Sequence, residues 1–165
     1  CIYAGILIDT NNFMTKTGVR TFEAAAFLRR AGADTTDVQK LFQNNLSEMV
    51  SRYDIIRRAE LYRDDIAVAV IPQDGVDRVA AAQAADELLN IIGIKASFVL
   101  TEYHDRIYIS ARSIDEINVQ LVMARLGGGG HMNSAGAQLT GCTLEDAKRT
   151  IENTLDEMIR EGDIK

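Results

Sequence analysis

The chain has 165 residues, 47% of them hydrophobic and 25% charged, with a formal net charge of −6. This is the composition of a soluble globular protein with room for one domain, or one domain and a fragment. The acidic balance argues against a long duplex-binding groove, which needs clustered Lys and Arg, and no apolar run approaches a membrane span.

Residues 2–8 are apolar throughout, and periodicity alone leaves a buried helix end and a short buried strand both open. Asp9, Thr10, Asn11 and Asn12 then break the pattern with turn residues. Thr21 to Ala31 reads as a helix stopped by Gly32. A second short helix follows Asp34 to about Asn44. A third is expected from about Ser47 to Leu61, with Met49, Val50, Tyr53, Ile56 and Glu60 near helical spacing.

The period then changes. Ile66 to Ile71 is a doubly buried strand ended by Pro72, the only proline. Asp74 can cap an Ala-rich helix running to about Ile92, where Gly93 ends it. Ala96 to Glu102 and Arg106 to Arg112 read as an antiparallel hairpin turning at Tyr103, His104 and Asp105. In its second strand Ile107, Ile109 and Ala111 share one face, and Arg106, Tyr108, Ser110 and Arg112 the other. Ser113 and Glu116 have capping-box spacing before a helix that ends at four glycines, Gly127 to Gly130. Ala135 to Thr140 is a further strand. Thr143 and Asp146 open a last helix with Leu144, Ala147, Ile151, Leu155, Met158 and Ile159 on its inner face.

The expected class is α/β: a mixed sheet of about four or five strands flanked by helices, preceded by a helical segment. The boundary falls near Asn44 and Asn45, giving units 1–46 and 47–165. Cys1 and Cys142 stand in no metal-ligand spacing, and a reducing, intracellular setting is the simpler reading. A first residue of Cys followed at once by apolar residues suggests a piece of a longer protein, with no targeting segment to remove.

The glycine run and His131 have three explanations: a flexible linker, backbone packed on backbone, or bare N–H groups that meet an anion. The run is neither a Walker loop, since no Lys-Ser/Thr follows, nor the dinucleotide fingerprint, since it leaves a helix and enters a strand. Arg112, at a strand end on the polar face, suits bidentate phosphate contact as well as a plain surface role. Asp9 is either a cap or a functional carboxylate. One Asp does not make a metal site, because hard cations want several oxygens. His104 is read as solvated.

The stretch GGGGHMNSAGAQ resembles the glycine-rich GGGH motif of the DHH-associated domain that ends the DHH phosphoesterases. AGILIDTNNF resembles the last metal-binding motif of their catalytic domain. TGVRTFEAAAFLRRAGAD, AQAADELL and ISARSIDEINVQL are similar to cyclic-di-AMP phosphodiesterases of the GdpP type. The resemblance covers nearly the whole chain. It implies two lobes: a catalytic one with a two-metal site, usually manganese (Mn2+), and a second that holds the substrate with the glycine loop. Cyclic-di-AMP would be opened to linear pApA.

Carried over residue by residue, Asp9 corresponds to a metal ligand, and Gly128, Gly129, Gly130 and His131 to the substrate loop. Arg112 and Ser113 correspond to the strand end facing the substrate, and Asn118 is a further candidate. Where the family loop often has alanines, Ser134 and Gly136 stand here. The Asp-rich and Asp-His-His motifs are absent, so residues 1–46 would be only the end of the catalytic domain. The resemblance also implies a membrane-anchored parent with its catalytic end in the cytoplasm, and it is compatible with a homodimer. Rival readings are a DHH enzyme acting on very short RNA or nucleoside bisphosphates, and an RNA-binding module like that of alanyl-tRNA synthetases. The acidic balance speaks against the last.

Overall fold

A computed structural model describes residues 2–14, 16–72, 78–114 and 117–164. The chain divides into two compact units, Cys1–Asn45 and Leu46–Lys165.

The first unit is helical. The opening apolar run forms α1 (Ile2–Asp9), which resolves the helix-or-strand ambiguity. Asp9 is the last residue of that helix. The turn behind it is held by Thr10, whose buried hydroxyl donates to the Ile6 carbonyl at 2.6 Å and accepts from the Phe13 N–H at 3.0 Å. Asn11, Asn12 and Phe13 all have positive φ there, and the Phe13 ring stacks on Phe22. Then come α2 (Val19–Arg30) and α3 (Thr35–Leu41), the latter capped by Asp34, which accepts from the Thr36 N–H at 2.7 Å. The third element stops short of the expected Asn44.

The second unit holds α4 (Leu46–Ile56), β1 (Ala59–Tyr62), β2 (Ile66–Ile71), α5 (Arg78–Leu88), β3 (Ala96–Tyr103), β4 (Arg106–Ser113), α6 (Val119–Arg125), β5 (Gly129–His131), β6 (Ser134–Thr140) and α7 (Leu144–Glu161). Its sheet has the order β1-β2-β3-β4-β6-β5. Only β2 and β3 are parallel, and α5 makes the crossover that a parallel pair needs. The other neighbours are antiparallel, so the sheet is mixed as expected.

Six strands form among the described residues where four or five were expected, and the two that the sequence did not place, β1 and β5, have identifiable causes. The helix expected to reach Leu61 ends at Ile56, because Ala59–Tyr62 turns back as β1 against β2 through Arg63 and Asp64, both at positive φ. Helical spacing there would have put Glu60 on the apolar side. β5 lies inside the glycine run, where no side chains carry a period of two. The Ala-rich helix ends at Leu88 rather than Ile92, and its proposed cap, Asp74, lies outside the described residues. Ser113 belongs to β4 and does not cap a helix. Asn118 caps α6 instead, and Glu116 lies outside the described residues.

Each sheet face buries its own core. Phe98, Leu100, Ile107, Ile109 and Ala111 pack with α6 and with Ala147, Ile151, Leu155 and Met158 of α7. Ala67, Ala69, Ile71 and Val99 pack with Ile55 of α4 and the alanines of α5. The polar ends of α7 are fixed as well. Thr143 and Asp146 form a capping box, and Tyr62 donates to the Asp156 carboxylate at 2.5 Å. Among the described residues no helix is long and apolar enough to cross a membrane.

Phe98→Ala should lower the unfolding free energy by about 3–5 kcal/mol, read from the denaturant midpoint, because the cavity opens in a fully buried layer. The Asp156 carboxyl is held below its ordinary value of 3.8, foremost by the Tyr62 hydrogen bond and then by Arg63. A carboxylate with a depressed folded pKa stabilises above its unfolded pKa, and that contribution is lost as pH falls through the lowered value. The stability gap between the wild type and Tyr62→Phe should therefore be present at neutral pH and shrink in strong acid. A gap that is constant with pH would contradict this.

Candidate substrate-binding site

The glycine run begins as a helix cap. Gly127 has φ +75°, and its N–H donates to the Ala124 carbonyl at 3.0 Å, while the Gly128 N–H donates to Met123 at 2.8 Å. This is the paired bonding of a Schellman motif, which needs a left-handed residue after the helix. Gly128 and Gly130 lie against β6. A Cβ on Gly128 would sit 2.2 Å from the Gly136 carbonyl oxygen, and one on Gly130 would sit 2.5 Å from both Ala135 Cα and the Ser134 oxygen. Gly129 differs: its φ is not positive, and nothing lies within 4 Å of where its Cβ would be.

The linker explanation therefore fails, since the segment is bonded at both ends and packed between. Backbone packing accounts for Gly128 and Gly130. Gly129 is the residue for which the fold supplies no internal reason, and it leaves open the surface that an anion would need. One expectation is corrected. The Gly128 amide is spent in the helix cap and is not a bare donor. The bare donors come from β5, which is an edge strand. An antiparallel ladder turns alternate amides outward, so at least one amide among residues 129–131 faces away from β6.

His131 ends β5 opposite Ser134, and Ser134 lies opposite Arg112 on β4. Register partners in antiparallel strands share a face, with Cα atoms about 4.5–5.5 Å apart. Arg112, Ser134 and His131 thus form one row across three strands, on the α5 side. The Arg112 side chain is only 17% exposed. Its Nε donates to Asp86 Oδ1 at 2.8 Å and its Nη1 to the Ala111 carbonyl at 3.0 Å. Asp86 on α5 thereby aims the guanidinium, whose remaining N–H donors have no partner among the described residues. Sequence reasoning missed Asp86, because nothing local to Arg112 signals a partner 26 residues away.

Ser113 and Asn118 take structural places. Ser113 is 4% exposed. Its hydroxyl donates to the Met132 carbonyl at 3.4 Å and its N–H to Asn133 at 3.1 Å. The Val119 N–H also reaches Met132, at 3.0 Å. Asn118 Oδ1 accepts from the Gln120 and Leu121 N–H groups at 3.1 and 3.3 Å. Ser113 thus braces the turn that joins β5 to β6, and Asn118 caps α6 behind it; the side-chain oxygens of both are engaged there.

Asp9 lies in the other unit. Among the described residues no group of three or more His, Cys, Asp or Glu side chains could hold a metal. A two-metal centre needs more ligands than the described residues bring together, so they do not fit one by themselves and no metal step is assigned to them.

The glycine positions should separate cleanly in stability measurements. Gly129→Ala is expected to change the unfolding free energy by less than about 0.5 kcal/mol, whereas Gly128→Ala should cost about 1–3 kcal/mol through backbone overlap. Equal losses at both positions would contradict the packing described.

The chain has recognisable relatives among known proteins. A family model described as the DHHA1 domain matches residues 63–161. The chain is 40% identical over 165 residues to the cyclic-di-AMP phosphodiesterase GdpP of Bacillus subtilis (strain 168), covering 98% of this chain and 25% of that protein. It is 41% identical over 157 residues to the cyclic-di-AMP phosphodiesterase PdeA of Listeria monocytogenes, covering 94% and 24%. The chain thus spans about a quarter of the length of these curated relatives. An exopolyphosphatase-related protein from Bacteroides fragilis shares the fold, with a TM-score of 0.85 at 22% identity over 96% of this chain and 49% of that one. The family match takes in β2 to β6, helices α5 to α7 and the whole glycine hairpin, and the chain belongs to the DHHA1 domain family.

Proposed function

We propose that this chain is the substrate-holding part of a cyclic-di-AMP phosphodiesterase, a hydrolase that opens the cyclic dinucleotide to pApA. The observation that carries the reading is the open main chain at Gly129, beside a row of Arg112, Ser134 and His131. The likeness to GdpP and PdeA over nearly the full chain supplies the substrate class.

In this reading the outward amides of residues 129–131 and the His131 imidazole donate to one non-bridging phosphate pair. Arg112, aimed by Asp86, supplies the fixed positive charge. The lobe binds and orients the phosphodiester. Hydrolysis is the work of a metal-bearing catalytic lobe in the longer protein, with residues 1–46 as its end and Asp9 as one ligand. Manganese, a membrane anchor and dimerisation of that longer protein are further parts of the same proposal, and they rest on the resemblance alone.

Two measurements test it. In the longer protein, Arg112→Ala or His131→Ala should lower kcat/KM for cyclic-di-AMP about 10- to 100-fold, the scale of a lost charge-assisted hydrogen bond. The isolated chain given manganese and cyclic-di-AMP should show no turnover. Turnover at a parent-like rate, or faster cleavage of short oligoribonucleotides than of cyclic-di-AMP by the longer protein, would overturn the reading.

A further inference from the structure

The rows of β4 and β6 continue beyond the proposed phosphate clamp. On the α5 face they pair Arg112 with Ser134, Ser110 with Gly136, and Tyr108 with Gln138. Helix α5 packs on β3 and β4. It is fixed there at two points: the Arg78 guanidinium lies 5.0 Å from the centre of the Tyr108 ring, and Asp86 binds Arg112. Eight residues of helix rise about 12 Å and four of strand about 13 Å, so the two ties match in spacing.

The β6 half of each row is bare. Ala135 and Ala137 point into the core, whereas Ser134 and Gln138 are exposed and Gly136 between them has no side chain. The result is a polar shelf along β6, continued by β5 beside Ser134 and Gly136 and walled by Tyr108 and the edge of α5. The Gln138 side-chain amide has no hydrogen-bond partner among the described residues, although its neighbour Tyr108 is half-buried and held. Four residues of strand separate Gln138 from Ser134, about 13 Å. One nucleotide together with the reach of a Gln side chain bridges that distance.

We infer that Gln138, backed by Tyr108, reads the base of the nucleotide whose phosphate the glycine hairpin holds, and selects adenine over guanine. The inference rests on the substrate-binding reading given above and deepens it. A primary amide presents one acceptor and one donor side by side. That pair complements the N6 amino group and N7 of adenine. Guanine offers O6 and N7, two acceptors, and sets the Gln oxygen against one of them. Tyr108 limits where the amide can turn, because the Arg78 guanidinium over its ring holds it in place.

Gln138 is exposed, so its replacement leaves the core intact. The test uses the longer protein and measures affinity for cyclic-di-AMP and cyclic-di-GMP by calorimetry, for wild type, Gln138→Leu, Gln138→Arg and His131→Ala. The wild type should prefer cyclic-di-AMP. Gln138→Leu should weaken cyclic-di-AMP about tenfold while leaving cyclic-di-GMP nearly unchanged, and Gln138→Arg should move the preference toward cyclic-di-GMP. His131→Ala should weaken both alike. If Gln138→Leu alters both ligands equally or neither, while His131→Ala still weakens both, the base-reading role is wrong and the clamp stands. If the wild type binds neither dinucleotide, or His131→Ala changes neither affinity, the clamp fails and the base-reading role fails with it.

Discussion

The site depends on how closely two main chains approach without side chains between them. β5 can lie against β6 only because Gly128 and Gly130 lack a Cβ; at either place one would overlap backbone atoms that cannot move aside. That contact turns a helix end into an edge strand within a few residues. It also sets His131 level with Ser134 and Arg112. The remaining bonds hold the hairpin from outside: Ser113 and Val119 grip the carbonyls of its turn, and Asn118 caps the helix behind it.

This arrangement explains why four glycines occur together. Gly127 is needed for its left-handed conformation, Gly128 and Gly130 for room, and Gly129 for nothing inside the fold. A run that looks uniform in sequence thus carries two physical roles, shared among three glycines, and one opening. The opening lies at the sheet edge, on the side where α5 has fixed Arg112 by an ion pair from Asp86. Arg125, the last residue of α6, also pairs with Glu161 and Asp163 near the end of α7, which ties the approach to the hairpin to the far helix.

Much of the fold was legible in the sequence because its elements announce themselves locally. Ile66 to Ile71 is a short apolar run ended by Pro72 and read as a buried strand, and Ile107, Ile109 and Ala111 alternate cleanly. Thr143 and Asp146 mark a helix start, and Asp34 marks another. The misreadings have physical causes too. Ala59–Tyr62 becomes a strand because β2 offers it a partner, and the signal for that lay in Arg63 and Asp64, a tight turn without glycine. β5 was invisible because glycines carry no alternation. In the site, the type of residue was readable but its engagement was not. Ser113 and Asn118 carry oxygens suited to a ligand, yet the hairpin turn engages the first and the start of α6 the second. For Arg112 the sequence left phosphate contact and a plain surface role both open, and its orientation comes from Asp86, a contact that only the folded sheet creates.

The account stands or falls on whether the open main chain of the hairpin meets the ligand. Amide chemical shifts of the longer protein, labelled at glycine and histidine and titrated with cyclic-di-AMP, test this most directly. The structure leads us to expect large, saturable shifts at Gly129, Gly130 and His131, with Gly141 and Gly162 left unmoved. Saturable binding that leaves all three hairpin amides where they were would contradict it.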